Sequence, residues 1–157
     1  SESPSNSVLF VCLGNICRSP MAEAVFKHIA KERGVLDDWH VDSAGTGDWH
    51  VGCKPDKRAT KCLKDHGVDM NHSARVVTTE DFTSFKYIFG MDEDNISALH
   101  ELAPDDSTAQ IELLGKYDPQ GKTIIRDPYY DRGSQGFEDV YEQCLRSCNA
   151  FLDKMIS

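Results

Sequence analysis

Val8–Val11 form an unbroken apolar run near the start of the chain. A run apolar at every position suits a central parallel strand covered on both faces. The polar residues before it read as a loose tail over 1–7, leaving 8–157 as a single domain. After the run, Met21, Ala22, Val25, Phe26, Ile29 and Ala30 recur at steps of three and four, the period of a helix. Ser19 is its expected N-cap, with Pro20 at the first helical position and Gly34 as terminator. A full capping box is missing, because Ala22 stands three after Ser19 and the carboxylate comes one later, at Glu23.

Trp39–Ser43 predicts a second strand, and "AGTGDWHVGCKP" then supplies the glycines and proline of a long loop, the kind that often carries function. Asp56–His66, ahead of Gly67, predicts a helix, "ARVV" (74–77) a short strand and Thr79–Lys86 a short helix. Tyr87–Met91 and Gln110–Leu114 predict two further strands around a helical "DEDNISALHELA". Phe137, Val140, Tyr141, Cys144, Leu145, Cys148, Phe151, Leu152 and Met155 mark a long amphipathic closing helix. Strands alternating with helices imply an α/β fold on a parallel sheet, which binds ligands beyond the carboxyl ends of its strands. Cys12 sits at such an end.

Composition narrows the function. The 157 residues suffice for one core, and the net charge of −9 disfavours broad association with nucleic acid or anionic membranes. Any anion site must therefore be local. No apolar segment approaches the ~18 residues of a membrane span, and the start lacks a signal-peptide layout, so the expected location is cytoplasmic. Six irregularly spaced cysteines in a domain of this size read as free thiols.

The link from the first strand to its helix, Leu13 to Arg18, can turn its backbone N–H groups and the helix N-terminus toward one point, an anion cradle. Gly14 and Asn15 both tolerate positive φ and let the loop curl. Arg18 adds a planar, permanently charged fork for two phosphate oxygens. This positive field favours the thiolate of Cys12, a nucleophile, and Ser19 can donate a hydrogen bond to its sulfur.

In that context "CLGNICRSP" resembles the phosphate-binding loop of the low-molecular-weight protein tyrosine phosphatases. The likeness extends over nearly the whole chain through "VDSAGT", "DW", "NHSAR", "MDEDN", "ELLGKYDPQ" and "DPYY". It implies a three-layer fold with a central four-stranded parallel sheet flanked by helices, and hydrolysis of aryl phosphate monoesters through a cysteinyl-phosphate. On this resemblance Cys12 is the nucleophile, Arg18 the transition-state clamp and Asp127 the general acid and later base. Leu13, Gly14, Asn15, Ile16 and Cys17 hold the substrate phosphate, while Trp49, Tyr129 and Tyr130 join Leu13 as walls for a phenyl ring. Asn15 also joins Ser19, Ser43 and His72 in the network that supports the loop. Implied partners are phosphotyrosine proteins and small aryl phosphates, with inorganic phosphate as product. A monomer without metal or cofactor is expected, as is redox control through Cys12 and Cys17.

Taken alone, Asp127 before Pro128 reads as a turn initiator and His72 as a structural loop histidine. A thioredoxin-coupled arsenate reductase shares such a fold and loop, but Phe89 and Gly90 stand where its relay cysteines are expected. Paired spacings among Cys12, Cys17, Cys144 and Cys148 raise zinc, yet the second pair lies on the core face of a helix. A Walker nucleotide site fails because no GK[ST] follows the glycine.

Overall fold

Successive side chains of the first strand enter two separate cores. In β1 (Asn6–Cys12), Val8, Phe10 and Cys12 join one apolar cluster, while Leu9 and Val11 join another on the opposite face. This is what an unbroken apolar run requires, since a strand's side chains alternate between faces. The structure, a computed structural model, describes residues 6–156. Of the tail expected over 1–7, residues 1–5 lie outside that range, while Asn6 and Ser7 belong to the strand, paired with Trp39 and His40.

The remaining elements follow in α/β order. They are α1 (Arg18–Glu32), β2 (Trp39–Gly45), α2 (Lys57–Asp65), α3 (Asp81–Ser84), β3 (Tyr87–Gly90), α4 (Glu93–Leu102), β4 (Gln110–Leu113) and α5 (Gln135–Ile156). Single 3₁₀ turns cover Leu36–Asp38 and Leu114–Tyr117. The four strands are all parallel, in the order β2-β1-β3-β4. Helices α1 and α5 pack on each other and cover one face of the sheet, with α2 against α5, while α4 covers β3 and β4 on the other. On the α1/α5 side the rings of Phe26 and Trp39 meet edge-on at 5.1 Å, and Phe89 meets Phe151 in the same way at 5.0 Å. Cys144 and Cys148 are fully buried here, and all six cysteines are free.

Gly34 ends α1 as expected. It takes φ 72°, its N–H bonds to Lys31 O and that of Val35 to Ala30 O, the paired closure of a left-handed helix stop. The start differs from expectation. Cys17, not Ser19, holds the N-cap position and makes no side-chain cap, because the Ser19 hydroxyl is drawn to the sulfur of Cys12. "ARVV" is not a strand either and contributes one isolated bridge, Val76 to Gly45. Its Arg75 side chain is held by Asp42 and Asp81, and the N–H groups of Ala74, Arg75 and Thr78 go to Cys53 O, Asn15 and Asp81, which leaves Val77 N–H to bond to Gly45 O, and the ladder stops at one bridge.

This order makes β1 the point where the winding reverses, with β2 on one side and β3 on the other. The loop after β1 therefore opens into the crevice at the carboxyl edge of the sheet.

Candidate active site

The loop from Leu13 to Cys17 curls because Asn15 adopts φ 58°, a left-handed conformation that few residues other than glycine accept. That turn brings the Asn15 N–H to 3.3 Å from Cys12 Sγ. The Asn15 side chain is then held on four sides. Its Nδ2 donates to Ser19 Oγ at 2.8 Å and Ser43 Oγ at 3.0 Å, while Oδ1 accepts from the Arg75 N–H at 3.0 Å and lies 2.7 Å from His72 Nε2. Both donors and both acceptor positions of the amide are in use, which fixes its orientation and stabilises a backbone angle that would otherwise be costly.

A second tier supports the first. Ser43 Oγ donates to Glu23 Oε1 at 2.6 Å, and His72 Nδ1 lies 3.2 Å from the same oxygen. Glu23 sits inside α1 almost without exposure and is paired with Lys27 at 2.7 Å. The misplaced acid of the incomplete capping box is thus the buried acceptor that orients Ser43 and His72. Close approach of β2 to the loop depends on Gly45, where a Cβ would lie 2.9 Å from Leu13 O.

Ser19 Oγ stands 3.0 Å from Cys12 Sγ and accepts from Asn15. Its single hydrogen can go to the sulfur, whose other donor is the Asn15 N–H, or to the Ala44 carbonyl 3.4 Å away. Arg18 is 2% exposed, and its Nη1 donates to Asp92 Oδ2 at 2.6 Å and Ile125 O at 3.0 Å. Its Nη2 lies 3.6 Å from Asp127 Oδ2. Burial alone would loosen the guanidinium proton, but Cys12, Asp92 and Asp127 outweigh it and hold Arg18 above its already high ordinary range. A fixed cation thus stands beside the thiol.

Asp127 is tethered by one oxygen, which accepts the Tyr129 N–H at 3.0 Å, leaving the other toward Arg18. The carboxylate is about one-third exposed, at 32%. Arg58, near the start of α2, donates to Tyr129 O and Asp131 O, each at 2.8 Å, and so ties down the segment that carries Asp127. Cys17 is buried, and burial first, then the charges of Asp56, Cys12 and Asp127, push its thiol far above the usual range.

A cleft of about 370 Å³ collects Cys12, Leu13, Gly14, Ile16, Cys17, Arg18, Trp49, Asp127, Tyr129 and Tyr130, all expected at the site. Trp49 and Tyr130 are its exposed walls, at 70% and 86%. The Trp49 ring lies on Gly47, where a Cβ would clash with it. The Asn15 side chain points away from the cleft into the expected supporting network with Ser19, Ser43 and His72, which leaves only its backbone on the cradle side of the loop.

Asp92, within the "MDEDN" stretch that carries part of the resemblance, caps α4 at the carboxyl end of β3. Two contributors escaped the sequence reading. His50 lines the cleft, its ring 5.8 Å from that of Tyr129, and its position beside Trp49 was the available hint. The Ile125 carbonyl carries no side-chain signal.

The family profile described as "Low molecular weight phosphotyrosine protein phosphatase" matches residues 7–157. A protein of that name from Sus scrofa is 52% identical over 157 residues, spanning 99% of each chain. The crystal structure of Primo-1 superposes with a TM-score of 0.93 at 47% identity, covering 97% of this chain and 99% of the other. That of a drosophila arginine phosphatase, DARP, does so with a TM-score of 0.91 at 45% identity, covering 96% and 98%.

Proposed function

Because the chain belongs to the low molecular weight phosphotyrosine protein phosphatase family, we propose that Cys12, Arg18 and Asp127 divide between them the phosphotyrosine hydrolysis this protein performs. One observation carries the assignment: a single cleft puts the Cys12 sulfur, held by two donors, next to a buried guanidinium and a tethered carboxyl group.

The Cys12 thiolate attacks phosphorus as the bond to the phenolic oxygen breaks. Asp127, protonated at this stage, gives its proton to that oxygen, because a phenolate whose acid has a pKa near 10 leaves poorly without one. The product is tyrosine and a cysteinyl-phosphate. Arg18 and the loop N–H groups bind the equatorial oxygens as charge spreads over them. In the second step Asp127, now a carboxylate, takes a proton from water as it attacks phosphorus. The sulfur departs as a thiolate that Ser19 stabilises by donating its hydrogen. Inorganic phosphate and the starting enzyme are regenerated, and every proton is moved by a group of the chain itself.

The aromatic rim supports substrates that present a flat ring at the depth of a tyrosine phosphate, as phosphotyrosine proteins and small aryl phosphates do. The Cys12 and Cys17 thiols on one tight loop support reversible oxidation. A peroxide would oxidise the Cys12 thiolate to a sulfenic acid, Cys17 would capture it with loss of water, and an external thiol would reduce the disulfide again. We place the protein in the cytoplasm as a monomer; among the described residues no helix is long and apolar enough to cross a membrane.

The test is phosphate release in EDTA from matched phosphotyrosine, phosphoserine and phosphoarginine peptides by wild type and Cys12→Ser. Wild type should release phosphate fastest from phosphotyrosine, and Cys12→Ser should bind vanadate without turnover. An active Cys12→Ser protein overturns the nucleophile, and preference for either other peptide overturns the substrate class.

A further inference from the structure

Away from the cleft, the end of α2 meets the first turn of α5 through three groups that the hydrolysis does not use. Cys62 and His66 are four residues apart, so they share one side of α2 and its cap. Glu138 faces both from α5. The Cys62 thiol donates to Glu138 Oε1 at 3.4 Å, and His66 Nε2 lies 2.8 Å from Glu138 Oε2. All three donor atoms fall within 4.8 Å of one another. Tyr141, one turn further along α5, stacks on the His66 imidazole with centroids 3.9 Å apart and planes 10° from parallel, which holds the ring in place.

We propose that Cys62, His66 and Glu138 form a zinc site, with water as the fourth ligand, that clasps α2 to the start of α5.

The geometry suits a small tetrahedral ion. Zinc bonds of about 2.3 Å to sulfur and 2.0–2.1 Å to nitrogen or oxygen set neighbouring ligand atoms about 3.3–3.6 Å apart. The 3.4 Å sulfur–oxygen distance already falls in that range, and the 2.8 Å nitrogen–oxygen distance needs to open by only about half an ångström. The donor set of thiolate, imidazole and carboxylate is a borderline-soft one, which selects zinc over magnesium or calcium. Access is graded as an open site requires. Cys62 is 5% exposed at the base, while the side chains of His66 and Glu138 are about one-third exposed, leaving a path for the ion and room for a water.

Charge balances as well. A thiolate and a carboxylate offset the two charges of the ion, and Lys61, the nearest cation on α2, is turned to Asp65 at 3.0 Å. Without metal, burial first and then Glu138 push the Cys62 thiol up to about 12. The ion therefore replaces a proton, which passes to solvent as the sulfur–zinc bond forms. Among the described residues the other cluster of this kind, Glu23, Asp42 and His72, is already committed, to Ser43 and Lys27, to Arg75, and to Asn15.

The clasp bears on the cleft from a distance. Arg58 of α2 already holds Tyr129 O and Asp131 O in the loop just before α5 begins, and zinc adds a tie from α2 to the helix that follows that loop.

The experiment uses the full chain carrying Cys12→Ser, so that the cleft thiolate does not compete for metal. Zinc is titrated against a chromogenic chelator, and cobalt(II) reports thiolate ligation through its sulfur-to-metal charge-transfer band. We expect one zinc per chain, bound at least tenfold more weakly after Cys62→Ser or His66→Ala. The cobalt band should vanish with Cys62→Ser and persist with Cys53→Ser. Glu138→Gln, a change at a partly exposed position, should also weaken zinc at least tenfold and provides the test should the buried substitution unfold the chain. No zinc uptake, uptake indifferent to His66→Ala and Glu138→Gln, or a cobalt complex without the sulfur band each overturns the site.

Discussion

Replacing Arg58 by alanine should slow the enzyme most where the leaving group is poorest. Arg58 occupies the first turn of α2, where its N–H and guanidinium are both held by Asp56, the N-cap, at 2.8–3.1 Å. From there Nη1 and Nη2 reach Asp131 O and Tyr129 O, and the guanidinium lies 4.6 Å from the centre of the Phe137 ring. Truncation removes two charged donors from the segment that aims Asp127. A hydrogen bond to a charged group contributes about 1.5–3 kcal/mol when shielded. The Arg58 side chain is 35% exposed, so water can replace part of each bond, and about 1–2 kcal/mol in all is the reasonable loss. That energy corresponds to a fall of about 5–30-fold in the fraction of enzyme with its acid in place. Single-turnover phosphorylation by phenyl phosphate and by p-nitrophenyl phosphate reads it directly. The Arg58→Ala defect should be about 5–30-fold with the first and smaller with the second, whose phenolate leaves with little help. Arg58→Lys, with one donor group in place of a fork, should fall between. Equal losses on both substrates, or phenyl phosphate turnover within twofold of wild type, refute the reasoning.

Asp127→Asn should lose about 10²–10⁴-fold in the same step with phenyl phosphate and less with p-nitrophenyl phosphate, and its pH–rate profile should lack the basic limb; an unchanged sensitivity to phenol pKa would move the acid elsewhere, with Asp92 the next carboxyl group to test. Peroxide should inactivate wild type reversibly and Cys17→Ser irreversibly. Because burial and the nearby carboxylates keep Cys17 a thiol, disulfide closure measured by quenched mass spectrometry should accelerate with pH, about tenfold per unit while the thiolate is the minor form; a rate flat from pH 6 to 9 contradicts this. In the pair of Asp118 with Arg146 the acid is fully enclosed, and Arg146 holds it below the usual carboxylate range. Its contribution to stability is present above about pH 3.9 and lost as pH falls through the lowered native value. Arg146→Met should cost about 3–5 kcal/mol in denaturant unfolding at pH 7, and a loss under 1 kcal/mol would show the pair to be incidental.

The loop after β1 was legible in the sequence because its determinants are local: an apolar run, Gly14 and Asn15 within the turn, and a periodic helix behind it. Long-range contacts overrode the local rules elsewhere. Ser19 fits an N-cap by neighbourhood but bonds to Cys12 instead, and "ARVV" has strand-like residues whose polar groups go to Asn15, Asp42 and Asp81. Asp92 and the Ile125 carbonyl meet Arg18 across 74 and 107 residues, separations at which no spacing rule operates. The Cys62–His66 spacing is visible on paper; Glu138, which makes it a cluster, is supplied only by the fold.

The same separation that hid Ile125 orders events in time. At about 5–20 residues per second, on the order of 5–20 s pass between synthesis of Arg18 and synthesis of the carbonyl that holds it. Through that interval the thiol loop exists without its acid and without α5, the helix packed on α1. On the proposed roles, a nascent chain that has not yet reached Asp127 holds the nucleophile without the acid, and the carbonyl that fixes Arg18 arrives with the same segment.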